Sequence, residues 1–223
     1  MRLNAPSALS AQRAGPAFTL IELLVVVALI AMLTAGLGVA LRHPGESVSL
    51  PAAQTTLASL LHAARGRAAL TQQNARLVVA ADPADLEKYL SQLRVVHQDP
   101  DNPGNWLADG DGLGLPRGVY VVPSSAAAVP GNPSWPASRR SSALSSAAAT
   151  LAIDGGATGS FYFVQFTSRG TTGGGNLVLT AGRVTVGAAG PALAFDNPDN
   201  VRGVLLRTSG ALTLLNDASA FAP

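Results

Sequence analysis

From Phe18 to Leu41 the chain reads FTLIELLVVVALIAMLTAGLGVAL, apolar at nearly every position and interrupted by a single carboxylate, Glu22. As a helix rising about 1.5 Å per residue the run would reach roughly 36 Å, enough to cross a hydrocarbon layer of about 30 Å. A carboxylate at the centre of such a layer costs about 2.5–3.5 kcal/mol, and less near an end, so Glu22 is a candidate functional residue by its position alone. The next stretch, Arg42 to Pro51, carries Pro44-Gly45 and Pro51, which predicts a kink or an unwound joint. A helical period returns from Ala52 to about Gln73. Ala53, Leu57, Leu60, Leu61, Ala64 and Ala68 fall on one face, with His62 on the opposite one. Arg65 and Arg67 flank that stripe, where their stems can cover apolar surface.

Beyond Gln73 the pattern shortens to runs of β-branched and aromatic residues punctuated by Gly, Pro, Asn and Asp. It predicts strands at Arg76–Ala80, Leu93–His97, Trp106–Ala108, Val119–Val122, Phe161–Thr167, Asn176–Thr180, Arg183–Val186, Val201–Arg207 and Ala211–Leu215. Asp82-Pro83 has helix-start chemistry, an N-cap followed by a first-turn proline, over Asp82–Lys88. Pro123–Thr150, rich in Ala, Ser and Pro, predicts a long surface loop with a short Ala/Ser helix at its end. One amphipathic helix followed by many short strands is the outcome.

The segment Arg13-Ala-Gly-Pro-Ala-Phe18-Thr-Leu-Ile-Glu22-Leu-Leu-Val-Val resembles the N-terminal signature of the type IV pilin superfamily, which includes the pseudopilins of type II secretion. The resemblance implies cleavage by a prepilin peptidase between Ala17 and Phe18 and N-methylation of Phe18. It places Glu22 fifth in the mature chain, as the residue that serves assembly. The family normally has Gly before the cut, where Ala17 stands here. Cutting after Gly15 would put Pro16 first and break the register. The joint at Arg42–Pro51 is a second departure, since many pilin-like chains run straight from one helix into the next. Farther on, Phe166-Thr-Ser-Arg-Gly170 through Leu179 and Val201-Arg-Gly203 through Leu212 look like H-type minor pseudopilins.

The resemblance implies an α+β fold, with an N-terminal membrane helix and an amphipathic helix packed on a β-rich head of antiparallel sheets. The division is a leader over 1–17, a transmembrane and assembly helix over 18–41, a linker over 42–51 and a soluble head over 52–223, whose helix covers 52–73. The partners implied are the prepilin peptidase, other pilin or pseudopilin subunits, an inner-membrane assembly platform and membrane lipid. A competing reading is a secretory signal peptide cut after Ala40, but its apolar region would be only about 7–15 residues and would not carry Glu22.

Composition changes this picture in three places. Of 15 Lys and Arg, Arg2 and Arg13 lie in the expected leader, so the mature part balances 13 bases against 13 acids, and the formal charge of +2 overstates its basicity. The same two arginines, with no acid beside them, predict a cytoplasmic N-terminus by the positive-inside rule. A single-pass protein of the inner membrane with a periplasmic head follows. The 223 residues contain no cysteine, which removes disulfides and thiolate metal sites.

Sites of chemistry are sparse. Gly170-Thr-Thr-Gly-Gly-Gly175 lacks the Lys-Ser/Thr of a phosphate loop and the last Gly of a dinucleotide fingerprint, and reads as a hairpin loop. Asp99–Gly104 and Asp109–Gly112 have calcium-loop features, but Pro103 and Gly110 stand where the first would need ligands, and both read as turns. His43, His62 and His97 have no metal spacing, and no nucleophile–base set is recognisable. The sequence therefore assigns no catalytic residue, no metal and no cofactor. Arg65, Arg67, Arg139, Arg140, Arg202 and Arg207 keep nucleic acid open as a partner, against which the balanced charge and few aromatics argue. Two functions remain: a structural subunit of a type II secretion or type IV pilus-like filament, and a binding module for DNA or a secreted substrate, acting through loop 123–150 or the strand edges.

Overall fold

The structure, a computed structural model, describes residues 20–40, 46–156, 158–187 and 190–221; of 33–40 and 46–48 only the backbone is described. Contacts divide the chain into two compact units, Met1–Pro44 and Gly45–Pro223. The first contains helix α1, Leu20–Ala40. The second begins with helix α2, Glu46–Thr71, followed by β1 (Ala75–Ala80), β2 (Gln92–Gln98), β3 (Trp106–Ala108), β4 (Leu113–Gly114), β5 (Val119–Val121), β6 (Ala149–Ala152), β7 (Thr158–Phe166), β8 (Gly175–Ala181), β9 (Arg183–Gly187), β10 (Gly190–Ala194), β11 (Val201–Leu206) and β12 (Leu212–Leu215).

The expected fold class is corrected by this architecture: the chain is mostly β, with two helices among its described residues and no apolar membrane-spanning one. The expected location, a single pass through the inner membrane, is corrected by the same finding. Among the described residues no helix is long and apolar enough to cross a membrane. The sequence counted Phe18–Leu41 as one apolar rod. Of that run the described helix is Leu20–Ala40.

In the second unit α2 starts earlier than the expected Ala52 and runs through Pro51 without ending there. Its apolar stripe is buried as the spacing predicts: Ala53, Leu57, Leu61, Ala64 and Ala68 lie in the main core and Leu60 is half-buried at its edge, while Leu50, from the expected linker, joins them. The stripe packs on two antiparallel sheets, ordered β3-β2-β1-β7-β6, with β4 also on β2, and β12-β11-β8-β5; β9 and β10 form a separate hairpin. Gln54 ties the helix to the second sheet. Its buried Nε2 donates to the carbonyls of Gly203 (2.7 Å) and Leu215 (2.9 Å). Gln54→Leu should therefore cost about 1–3 kcal/mol in chemical denaturation, because two carbonyls lose a shared donor. A change below about 0.5 kcal/mol would mean that water reaches them.

The first sheet is apolar on both faces and curls. Ala75, Leu77 and Val79 point to the main core, whereas Val78 joins Val96, Trp106 and Leu151 in a second cluster with Phe161 and Phe163. The curl brings the sheet's two ends together. Trp106 bridges Ile153 in parallel, and Asp154 donates its amide to the Trp106 carbonyl at 2.8 Å while its Oδ1 accepts the Ala108 amide at 2.8 Å. The second cluster thus fills the concave side.

Two local expectations fail. Asp82–Lys88 is a series of turns and not a helix; Asp82 Oδ1 accepts the Ala84 amide at 2.9 Å, which closes a turn. The 123–150 segment is no free surface loop. It holds two short 3-10 turns, Ala126–Ala128 and Ala137–Arg139, and gives its last residues to β6 in place of a helix. Trp135 from this segment is 1% exposed. It packs edge-on to Phe195 at 5.8 Å, with its Nε1 donating to the Arg139 carbonyl at 2.8 Å.

Candidate functional site

Helix α1 forms from Leu, Ile, Val and Ala with no proline, and its first turn carries the acid Glu22. The unpaired amides and dipole of a helix N-terminus favour a carboxylate there by about 0.3–1 kcal/mol. Leu20, Ile21, Leu23–Val27, Leu29, Ile30 and Met32 are 44% to 81% exposed. Because these positions are nearly consecutive, the apolar surface goes round the helix over the described side chains, Leu20 to Met32. A surface of that kind marks an interaction site. Chemically it offers close packing of apolar helices around one carboxylate able to accept a cation. Of the site residues read from the sequence, Glu22 lies on this helix; Ala17 and Phe18 fall outside the described residues.

The remaining candidates serve the architecture of the second unit. Gly170 closes a tight turn, its amide donating to the Thr167 carbonyl at 2.7 Å, and the chain then crosses from β7 in one sheet to β8 in the other. The glycine-rich stretch therefore starts in a small hairpin turn, as expected, closed by an antiparallel bridge between Phe166 and Thr172, and then crosses between the sheets. Asp99 accepts the Asp101 amide at 3.0 Å, and Asp109 pairs with Arg67 at 3.6 Å, so the two acidic turns use these carboxylates internally. Among the described residues no three His, Asp or Glu gather where a metal ion could sit.

His43 is outside the described residues, and His62 is exposed. His97 is buried, with Nδ1 accepting from Arg67 Nε at 3.4 Å. Burial first, and the Arg67 charge second, hold its pKa below the ordinary histidine value. Arg139 pairs with Asp199, and Arg140 donates Nε and Nη2 to the Trp135 carbonyl at 3.1 and 3.0 Å. Arg65 donates to the Gly210 carbonyl at 3.3 Å. These arginines brace loops and turns.

Sequence reasoning passed over one feature. A cleft of about 320 Å3 opens at one end of the curled sheet, between β1, β2, β7 and the turns after β1. Its signal was present on the second face of two strands. Val78 and Ala80 on one strand, and Arg94 and Val96 on the next, lie two apart and so share this second face, apolar where a strand with one core face would carry solvated residues. Comparison with family models, with curated proteins and with solved structures found no match for this chain.

Proposed function

We propose that this chain is a structural subunit of a pseudopilin or pilin-like filament, of the type II secretion or type IV pilus kind, assembled through α1. The observation that carries the reading is the apolar surface running round α1 with a single carboxylate in its first turn. The register of Phe18 and Glu22 with the prepilin signature supports it. In this reading a prepilin peptidase cuts between Ala17 and Phe18 and leaves a cationic amine one helical turn before Glu22. The amine of an entering subunit then meets the Glu22 carboxylate of a subunit already in the filament. The surrounding helices exclude water, so the attraction is only weakly screened.

N-terminal sequencing of the processed protein should read Phe-Thr-Leu-Ile, with Phe18 methylated; a start at Leu41 would establish the signal-peptide alternative. Glu22→Gln should leave cleavage intact and lower incorporation into filaments of sister subunits by about tenfold or more, the equivalent of about 1.4 kcal/mol. Crosslinking or recovery in sheared filaments reads this out. Normal incorporation of the Gln variant would make Glu22 a passenger and rule out assembly by pairing of amine and carboxylate.

A further inference from the structure

The cleft at the open end of the curled sheet has the composition of a ligand site. Arg94 on β2 stands opposite Val78 on β1, and Ala80 on β1 stands opposite Phe161 on β7. Directly opposed residues share a face. The cleft therefore has an aliphatic floor of Val78 and Ala80, a guanidinium on one side and a phenyl ring on the other. Gly159 makes room for that ring, since a Cβ there would come within 2.7 Å of it. At about 320 Å3 the space matches small-ligand pockets, which begin near about 300 Å3.

The charges sort by what already holds them. Lys88 is paired with Asp85 at 2.8 Å, and Asp82 closes its own turn onto Ala84. Arg94 gives one Nη to the Asp111 carbonyl at 2.9 Å. Deeper on the same face, the Arg76 guanidinium lies 4.0 Å from the centres of both the Trp106 and Phe163 rings, with Nε and Nη2 on Gln165 Oε1 at 2.9 and 2.8 Å. Neither Arg76 nor Arg94 belongs to any ion pair among the described residues. Desolvation pulls the Arg76 pKa below the ordinary guanidinium value, the mark of a cation held in partly apolar surroundings. Among the cleft's lining residues Lys88 is offset by Asp85 and Asp82 accepts from its own turn, so Arg94 is the cation placed to meet a carboxylate.

We infer that this cleft binds a small aromatic carboxylate, its ring on Val78 and Ala80 against Phe161 and its carboxylate on Arg94. The ring gains offset or edge packing with Phe161. The carboxylate gains a charge-assisted hydrogen bond, about twice as strong as a neutral one.

Calorimetric titration of the full chain with 3-phenylpropionate tests this. Saturable one-site binding in the sub-millimolar range is expected, with 3-phenylpropionamide weaker by about tenfold or more. Arg94→Gln, at a half-exposed position, should bring the acid down to the affinity of the amide. Ala80→Leu should fill the floor and remove binding of both, with the melting temperature of each variant followed alongside. Absence of saturable binding would overturn the proposal. So would equal affinity for acid and amide, unchanged binding in a folded Ala80→Leu variant, or tighter binding of 2-phenylethylamine, which would make the cleft a cation site on Asp82. Should Ala80→Leu fail to fold, the acid–amide difference and Arg94→Gln decide the matter.

Discussion

Gly203→Ala should destabilise the second unit by about 3 kcal/mol or more, the upper range for overpacking a closed core. Gly203 lies within β11, opposite Val178 of β8. A Cβ there would sit 2.0 Å from the Leu177 carbonyl oxygen and 3.0 Å from both the Leu177 carbonyl carbon and the Phe221 ring. The clash is with backbone, which cannot rotate away, so β11 and β8 would have to separate. Separation would also pull the Gly203 carbonyl off Gln54, which holds it at 2.7 Å. Domains are stable by only about 5–15 kcal/mol, so a loss of this size should appear as a large drop in the urea midpoint. Gly66→Ala is the control. Gly66 is exposed on α2, and a Cβ there meets nothing within 4 Å; the change should raise stability by about 0.5–1 kcal/mol through helix propensity. If Gly203→Ala melted with the parent, β11 would be free to shift and its tight pairing with β8 would be wrong.

Leu61→Asp is expected to be of similar or greater size. Leu61 is 0% exposed at the centre of the α2 stripe, packed among residues of both sheets. A carboxylate there would sit among buried leucines and valines, while Arg65, one turn on, already donates to the Gly210 carbonyl. Removing it from water would cost several kcal/mol or force it to protonate. The lost leucine packing adds about 2–5 kcal/mol. Thr55→Asp, on the exposed side of the same helix, should stay within about 0.5 kcal/mol of the parent. The pair of variants separates burial from helix propensity and from net charge. Urea denaturation followed by circular dichroism reads both. Equal midpoints for the two variants would place the stripe away from the core.

Parts of this fold were legible because their signals are local. The 3.6-residue spacing from Ala53 to Ala68 identified the buried face of α2 without any knowledge of its partner. Runs such as Arg76–Ala80 and Val201–Arg207 identified strands to within a residue or two. The short pieces escaped. Leu113–Gly114, Ala149–Ala152 and Gly190–Ala194 are rich in Ala and Gly, whose β preference is weak, and are strands because a neighbour pairs with them. At the candidate site, Glu22 stood out as the lone acid of an apolar run. The cleft did not, because its residues come from separate elements and alternate only once or twice on each.

What the sequence determined by itself is which face of each element is apolar, since side-chain direction follows from local geometry at periods of 3.6 and 2. It also determined that α1 has no polar face, since that needs only a reading of consecutive residues. What the tertiary structure alone decided is which strands pair. β1 and β7 are neighbours although Ala75 and Phe166 are far apart in the chain, and nothing in a period-2 pattern specifies its partner across such a distance. That pairing and the bridge from Trp106 to Ile153 curl the sheet. The curl places Arg94 at the edge of a partly apolar cleft and Arg76 between the Trp106 and Phe163 rings. The buried place of Trp135 was decided in the same way. Its segment is polar and proline-rich, and its burial comes from docking on Phe195, a contact between distant residues that local composition does not encode.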